Sequence, residues 1–241
     1  KITGKQESKV YNGSEQKAIG FTIDSISNGL YKSSDFSLKA GVVAEAKGTD
    51  ANTTAYSMDL TGDSFENKSK NFSNVKFDVT DGSLTITKRD VTLTSANASK
   101  PYDGTALTNK NVTVGGNGFA DGEGATYNVT GSQTEVGESA NAFTYTLNNN
   151  TKESNYNITK REGKLKITAA DSVAYKVEHY KQNLDGSYNN TPDDIDHLSG
   201  TAGTLTAAAA NDYPGFAPGT VTQEKIKSDR TTTIKIQYTR N

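Results

Sequence analysis

The chain has 241 residues, no cysteine, a formal net charge of −2 and a hydrophobic fraction of 32%. Without cysteine it can form neither disulfides nor thiolate metal sites, and its balanced charge without a basic stripe predicts no nucleic-acid or membrane-surface partner. The low hydrophobic fraction favours several small domains over one large core, and no apolar run approaches the ~20 residues of a membrane-spanning helix, so we expect no membrane insertion.

Two stretches of the chain repeat one short pattern. Ser8–Ala18 reads SKVYNGSEQKA and Ser99–Asn109 reads SKPYDGTALTN, so each contains Tyr, then Asn or Asp, then Gly. An Asx-Gly pair supplies turn angles that few other pairs tolerate. Asn12 stands where the second copy has Asp103, an exchange that turn geometry survives and a required charge would not. We interpret the pattern as a turn whose tyrosine anchors it to the core of its own domain.

The repetition extends along most of the first 170 residues. Ala55–Leu60 matches Ala142–Leu147, and the closing segments Phe77–Asp90 and Ile158–Asp171 match as well, with offsets between 81 and 91 residues. Ordered matches at a nearly constant offset indicate tandem copies of one structural unit. The residues after these copies do not match either of them. We therefore predict three domains, which span residues 1–89, 90–169 and 170–241.

Both copies contain segments in which apolar and polar residues alternate. Ser83–Thr87 and Lys164–Thr168 each place two apolar residues on one face, which is typical of half-buried strands in antiparallel sheets. Asp81-Gly82 and Glu162-Gly163 precede these strands, as turn residues do. No segment of either copy shows helical periodicity over enough residues to predict a helix. The sequence therefore predicts a mainly β protein whose first two domains are immunoglobulin-like or β-grasp-like.

The third domain has alternating segments at both ends. Val173–His179 and Ile234–Tyr238 predict strands, and Asp185-Gly186 indicates a hairpin turn. Between them, Thr206–Asp212 is a candidate short helical turn, and Tyr213–Phe216 is a candidate turn. We predict a compact sheet whose terminal strands pair.

These segments resemble modules of bacterial surface proteins. The first two domains look like MBG-type repeats, which carry an early Tyr-x-Gly element and a closing G-x-L-x-I-T strand. The third domain is similar to the MucBP and internalin B-repeat modules of Gram-positive bacteria. The residues that carry the likeness are Tyr11–Gly13, Gly82–Thr87, Tyr102–Gly104, Gly163–Thr168, Tyr175–Tyr180, Gly200–Gly203, Gly215-Phe216 and Ile234–Tyr238.

The resemblance implies a fold and a setting. The third domain would be β-grasp-like, and the chain would be a monomeric, non-catalytic segment of a secreted, cell-wall-attached adhesin, held to the wall through parts outside these residues. Such a segment would act as an extended stalk that presents or contributes to host-surface or matrix attachment. The alternative is a mucin- or glycan-binding module with its site in residues 170–241. Possible partners are host mucin, a glycan or another surface protein, and no enzyme activity or cofactor is expected.

Candidate catalytic and metal-binding residues are few. His179 continues the face of Tyr175 and Val177, so we interpret it as a strand position without special chemistry. His197 lies in a segment that we interpret as an exposed loop, Thr191–Gly200. Four acidic residues of the third domain could offer oxygen ligands to Ca²⁺, but they lack EF-hand spacing, and an acidic surface loop is the favoured interpretation. They are Asp193, Asp194 and Asp196, with Asp185 nearby.

Two further features admit a functional interpretation. The stretch Gly115–Gly124 is rich in glycine, but Asp121 stands where a dinucleotide-binding loop needs its third glycine, so we interpret it as a connection between strands. Tyrosines beside turns could stack on sugar rings, although the ring of such a tyrosine more often packs against the domain while its hydroxyl contacts solvent. An intramolecular Lys–Asn isopeptide bond stays open, with no residues named. The four candidate sugar-stacking tyrosines are Tyr31, Tyr180, Tyr188 and Tyr213.

Overall fold

The computed structural model describes residues 1–241, and it is mainly β as predicted, with 22 strands and only three short 3₁₀ segments as helix. We call residues 1–89 module 1, residues 90–169 module 2 and residues 170–241 module 3. The chain divides into two compact units that each combine parts of different modules, so the predicted domain boundaries stay predictions. The first unit contains Lys1–Thr94, Thr113–Tyr127 and Tyr145–Arg161, and the second contains Ser95–Val112, Asn128–Thr144 and Glu162–Asn241.

The strands of modules 1 and 2 are short, and one of them begins at the boundary between the modules. Those of module 1 are β1 (Ile2–Gly4), β2 (Gln6–Val10), β3 (Gln16–Ile19), β4 (Phe21–Ile23), β5 (Phe36–Leu38), β6 (Glu45–Gly48), β7 (Tyr56–Ser57), β8 (Phe65–Asn67), β9 (Val79–Thr80) and β10 (Ser83–Thr87). Those that follow are β11 (Arg89–Ser95), β12 (Ala98–Pro101), β13 (Val112–Gly116), β14 (Ala125–Val129), β15 (Gly137–Asn141), β16 (Phe143–Leu147), β17 (Tyr156–Arg161) and β18 (Gly163–Thr168). The 3₁₀ segments are Ser33–Asp35, Gly62–Ser64 and Glu153–Asn155.

Modules 1 and 2 share one pattern of strand pairing. In module 1, β1 is parallel to β9 and β2 is parallel to β10. In module 2, β11 is parallel to β17 and β12 is parallel to β18. The closing strands β10 and β18 are also antiparallel to β7 and β15. The two copies therefore have the same core arrangement, but the sheets that contain the closing strands are mixed. The prediction of antiparallel sheets was wrong for these core sheets and right for the β3–β6 and β5–β8 pairs.

The alternating segments bury one face, as predicted. Leu84 and Ile86 of β10, with Leu165 and Ile167 of β18, are almost completely buried. The remaining strands add to these sheets or form small pairs: β4 lies beside β1, β13 beside β11, β3 beside β6, β5 beside β8 and β14 beside β16.

The prediction that Asp81-Gly82 and Glu162-Gly163 are turns was wrong, because neither pair forms a turn. They are points at which the chain moves from one sheet to another, because β9 pairs with β1 whereas β10 pairs with β2. At this point two backbone segments cross so closely that a Cβ atom on Gly4 would lie 2.3 Å from the nitrogen of Gly82. In module 2, a Cβ atom on Gly163 would lie 2.4 Å from the carbonyl oxygen of Ser95. Glycine is required here by backbone proximity.

One proposed match between the copies is wrong. Tyr56 lies opposite Leu84 in module 1, and Ser139 lies opposite Leu165 in module 2. The counterpart of β7 is therefore β15, whereas Ala142–Leu147 contributes β16, which pairs with β14. Both segments alternate apolar and polar residues, and alternation alone does not specify which strand a segment pairs with.

Module 3 is one four-stranded sheet, and its terminal strands pair as predicted. Its strands are β19 (Val173–Lys181), β20 (Asp194–Gly200), β21 (Phe216–Pro218) and β22 (Thr233–Arg240), in the order β20-β19-β22-β21. The first and last strands, β19 and β22, are parallel neighbours at the centre. Val177, Ile236 and Tyr238 form the most buried part of the core.

Two local predictions for module 3 were wrong. Thr206–Asp212 is not helical, because the side chain of Gln223 accepts the N–H of Ala208 at 3.0 Å and donates to its carbonyl at 2.8 Å. Backbone groups that bond a side chain in this way are not available for a helical turn. Thr191–Gly200 is not a loop throughout, since its second part is the edge strand β20. The predicted turns at Asp185-Gly186 and Tyr213–Phe216 are confirmed.

Candidate functional site

The repeated Tyr-Asx-Gly turns lie where one module ends. Because β2 is parallel to β10 and β12 is parallel to β18, the strand before each turn ends beside the last strand of its module. The N–H of Tyr11 donates to the carbonyl of Thr87 at 2.9 Å, and that of Tyr102 donates to Thr168 at 2.8 Å. Each tyrosine is thereby placed next to the start of the following module.

Both turns have the local geometry that the sequence predicts. The Oδ1 atom of Asn12 accepts the N–H of Ser14 at 3.0 Å, and Gly13 has a φ of 85°. In the second copy, Oδ1 of Asp103 accepts the N–H of Thr105 at 2.9 Å. Side chains that accept an N–H two residues ahead define Asx turns, and glycine tolerates a positive φ. Asn and Asp are therefore equivalent as acceptors of this N–H, although Asp103 also forms an ion pair with Lys100 at 2.8 Å.

Tyr11 was predicted to anchor its turn to the core of module 1, but its ring packs against module 2 instead. Its ring is 4% exposed and meets the ring of Tyr156 in module 2 edge-on, with centroids 5.5 Å apart at 83°. The Tyr11 hydroxyl donates to Oε1 of Glu123, and the Tyr156 hydroxyl donates to Oε2 of the same carboxylate at 2.8 Å. Tyr156 also accepts the N–H of Ala120 at 2.9 Å. We call this arrangement of Tyr11, Glu123 and Tyr156 the first tyrosine junction.

Burial and the shared carboxylate change the acidity of these tyrosines. Burial raises the pKa of Tyr11 far above its usual range, and the hydrogen bond to Glu123 adds to the effect. Burial raises the pKa of Tyr156 to about 12, again with a contribution from Glu123. Both hydroxyls therefore keep their protons, and remain donors, at every physiological pH.

Arg89 holds the glycine-rich stretch against the first junction. Its Nε atom donates to the carbonyl of Gly118 at 2.7 Å, and one Nη atom donates to the carbonyl of Asn117 at 2.6 Å. Residues 117–124 connect β13 to β14, as predicted, and have the second role of supplying Glu123, whereas Gly115 and Gly116 belong to β13. Sequence reasoning missed this second role, because Arg89 is matched by Ala170 in the second closing segment and Glu123 lies outside the repeated turns and closing segments.

A polar cluster further supports the first junction. Nζ of Lys152 lies 2.7 Å from Oδ2 of Asp50, and the amide of Asn155 donates to Oδ1 at 2.9 Å. The buried Asn155 also accepts the N–H of Ala51 at 2.9 Å. The hydrogen bonds from Lys152 and Asn155 lower the pKa of Asp50. Residues of modules 1 and 2 are thus joined at two neighbouring places.

The second turn contacts module 3, but with fewer polar interactions. The ring of Tyr102 packs against Gly203, where a Cβ atom would lie 3.5 Å from Cε1, and against the core of module 3. The Tyr102 hydroxyl has no hydrogen-bond partner in the protein. Asp103 bonds only Lys100 and Thr105 of its own turn, which hold the pKa of its carboxyl at about 2. We call this contact the second tyrosine junction.

Module 3 also has a cleft that contains two of the predicted sugar-stacking tyrosines. Its volume is about 500 Å³, and Tyr180 and Tyr188 line it. Tyr180 is buried and donates to Oε2 of Glu178 at 2.7 Å, while Nζ of Lys235 lies 5.6 Å from its ring centroid. Tyr188 is half-buried. The other lining residues are Asn189, Asn190, Gly219, Thr220 and Gln237.

The remaining two tyrosines take part in packing. Tyr31 is 7% exposed in module 1, and its hydroxyl donates to the carbonyl of Asp35 and to Oδ1 of Asn67, both at 3.0 Å. Tyr213 is half-buried and donates to Oδ2 of Asp194 at 3.0 Å. Tyr31 and Tyr180 are both only 7% exposed, so the idea that either ring is an exposed platform was wrong.

His179 lies on the face of Tyr175 and Val177 as predicted, and it is fully buried within a polar network. Its Nδ1 atom is 2.8 Å from the hydroxyl of Tyr238, and Nε2 is 3.1 Å from Oδ2 of Asp196. The backbone N–H of Asn211 donates to the Tyr238 hydroxyl at 2.8 Å. The network binds the end of β19 to β20, β22 and a loop, so His179 has a specific hydrogen-bonding role that the sequence did not reveal.

The four aspartates considered as Ca²⁺ ligands have separate partners. Asp185 accepts from Ser187 in a turn, Asp193 accepts the N–H of Lys181, and Asp194 and Asp196 bond Tyr213 and His179. No group of three or more His, Asp or Glu side chains is arranged to hold a metal ion. His197 is exposed, as predicted, but it belongs to strand β20.

The comparisons with known proteins identify no family for the chain. No protein-family model, no curated protein and no solved structure matches the chain. None of its helical segments is long and apolar enough to cross a membrane.

Proposed function

We propose that the chain is a non-catalytic segment of a bacterial cell-surface adhesin, in which consecutive modules form an extended stalk that presents or contributes to host-surface or matrix attachment. The stalk would stand outside a Gram-positive cell and reach the wall through parts beyond these 241 residues. The repeated mainly β modules and their resemblance to MBG-type and MucBP or internalin B-repeat modules support this proposal.

The observation that carries the proposal is the first tyrosine junction. Small domains joined by a short linker reorient freely unless their contact is specific and dry. Tyr11 supplies such a contact, because it is buried against Tyr156 and donates to Glu123. A side chain repeated at the end of successive modules is what a stalk requires, since each module then needs to recognise only its neighbour.

Small-angle X-ray scattering of residues 1–241 tests the stalk. We expect the pair-distance distribution of an elongated particle, with a long tail. Tyr11→Ala should change this distribution because it removes the ring and the hydroxyl from the first junction. A compact, symmetric distribution for the unchanged chain would contradict the proposal.

A second candidate function is binding of a mucin glycan or another oligosaccharide in the cleft of module 3. Tyrosine rings offer an apolar face and a polar edge, and ligand sites combine such surfaces with a few convergent polar groups. The cleft brings Tyr180 and Tyr188 together with Lys235, and three side-chain amides surround them. This convergence favours a sugar site here over one at Tyr31 or Tyr213.

A glycan array probed with the full chain tests the second function. Tyr188→Ala should abolish any signal, and Tyr145→Ala, on β16 of module 2, serves as a matched control that should leave it unchanged. Equal loss in both variants, or no signal from the unchanged chain on mucin-type and other glycans, would argue against a sugar site in the cleft. Neither outcome bears on the stalk.

A further inference from the structure

We propose that the second tyrosine junction is a hinge between modules 2 and 3, whereas the first junction is a fixed connection. The proposal concerns motion within the chain, and it holds whether or not the chain is part of an adhesin. Four observations support it, namely the lengths of the two linkers, the hydrogen bonds that place a pivot in the second linker, the two tyrosine contacts and a cavity beside the second junction.

The two linkers differ in length and conformation. Between β10 and β11 only Lys88 lies outside a strand, so the backbone passes almost continuously from module 1 into module 2. Between β18 and β19 four residues lie outside a strand. One of them, Ser172, has a φ of 58°, in the left-handed region that is unfavourable for residues other than glycine. The second linker therefore includes a sharp change in chain direction.

Hydrogen bonds locate the pivot of the second linker. The carbonyl of Thr168 accepts the N–H of Tyr102, which fixes it to module 2. The carbonyl of Ala170 accepts the N–H of Ala202 at 2.8 Å, which fixes it to module 3. Thr201 adds a hydrogen bond to Asp171 at 2.9 Å. Ala169 is the exposed residue between these two anchors, so rotation of its backbone would reorient module 3.

The contacts of Tyr11 and Tyr102 differ in burial and in hydrogen bonding, as a fixed connection and a hinge require. Tyr11 is buried and donates to a carboxylate that a second tyrosine also bonds. Tyr102 is only half-buried, its hydroxyl has no partner, and it packs on Gly203, which has no side chain to interlock with. Its ring can therefore slide without breaking a hydrogen bond.

A cavity beside the second junction provides room for this movement. Its volume is about 270 Å³, and it lies between the Tyr102–Gly104 turn and the segment Lys225–Asp229. Closing or widening this space changes the angle between the turn and module 3 without a clash of packed side chains. Relative motion of domains is the default unless their interface is large and hydrophobic, and this open space interrupts the packing between the turn and module 3.

Pulsed electron paramagnetic resonance on the full chain tests the hinge. The protein has no cysteine, so spin labels on introduced cysteines are unique. The exposed pair Ser73→Cys and Asn149→Cys spans the first junction, and the exposed pair Thr134→Cys and Thr222→Cys spans the second. We expect the second distance distribution to be at least about twofold broader than the first, because the second linker is longer and no tyrosine hydrogen bond holds module 3 to module 2. Equal widths would overturn the proposal.

Conservative variants separate the hydroxyl from the ring. Tyr102→Phe should leave the second distribution unchanged, because its hydroxyl bonds nothing. Tyr11→Phe should broaden the first distribution, because it removes the bond to Glu123. If Tyr102→Phe also broadens the distribution across its junction, the hydroxyl holds that junction and the hinge is refuted.

Discussion

Tyr11 and Glu123 are 112 residues apart in the sequence, yet the hydroxyl of the first donates a hydrogen bond to the carboxylate of the second. The bond joins the turn at the end of module 1 to the loop between β13 and β14 of module 2. Tyr156 completes the arrangement from the other side of the carboxylate. The repeated Tyr-Asx-Gly pattern is therefore a connecting element as well as a turn.

We predict that the protein loses stability at high pH through the first junction. Folding raises the pKa of Tyr11 and Tyr156 above 10, the ordinary value for tyrosine. The contribution of their protonated hydroxyls to the free energy of unfolding is therefore fully present below pH 10 and is lost as the pH rises toward about 12. The loss should be ~1.4 kcal/mol per pH unit for each tyrosine that keeps its proton. Urea unfolding between these pH values measures it.

Tyr156→Phe is the control for this alkaline effect. The variant cannot ionise at this position, so its free energy of unfolding should fall less steeply with pH than that of the unchanged protein. If all 12 tyrosines ionise near pH 10 by ultraviolet absorbance while the fold persists, the raised pKa values and the junction argument are both wrong.

We predict that Gly82→Ala is strongly destabilising. The new Cβ atom would lie 2.3 Å from Sδ of Met58 and 2.7 Å from the carbonyl oxygen of Lys5, and the latter is backbone that cannot turn away. Overpacking of this kind costs about 1–3 kcal/mol. Gly29→Ala is the matched control, because no atom lies within 4 Å of its Cβ position. Chemical denaturation of both variants gives the comparison, and equal stability would show that the chain crossing at Gly4 and Gly82 is not tight.

We predict that Nδ1 of His179 accepts a hydrogen bond and that Nε2 carries a proton. The oxygen of Tyr238 already accepts the N–H of Asn211, so its own proton is best donated to Nδ1 of His179. Nε2 then donates to the carboxylate of Asp196. The opposite tautomer would leave the Tyr238 proton without an acceptor and would place a lone pair against a carboxylate. Nitrogen NMR of the imidazole ring distinguishes the tautomers, and a proton on Nδ1 would contradict the network.

The sequence predicts the repeated strands well because their cores alternate strictly. Leu84 with Ile86 and Leu165 with Ile167 face inward as a period of two requires. It predicts β20 poorly, because this edge strand is mostly exposed and carries acids at Asp194 and Asp196. Exposed strands at a sheet edge have little hydrophobic pattern to detect.

The junctions could not be predicted from the sequence for a different reason. The partner of Tyr11 depends on the parallel pairing of β2 with β10, which places the turn at the end of its module. Parallel pairing joins segments that are far apart in the chain, and no local pattern reports it. A tyrosine before an Asx-Gly pair is equally compatible with anchoring to its own module, which is why that interpretation was wrong.

A double-mutant cycle between Tyr11 and Glu123 tests the central claim most directly. The free energy of unfolding would be measured for the unchanged protein, Tyr11→Phe, Glu123→Gln and the double variant. A hydrogen bond to a charged group contributes about 1.5–3 kcal/mol, so we predict that the two single losses exceed the double loss by an amount of this order, and that Tyr102→Phe costs less than ~0.5 kcal/mol. Strictly additive losses would show that Tyr11 and Glu123 do not connect the two modules.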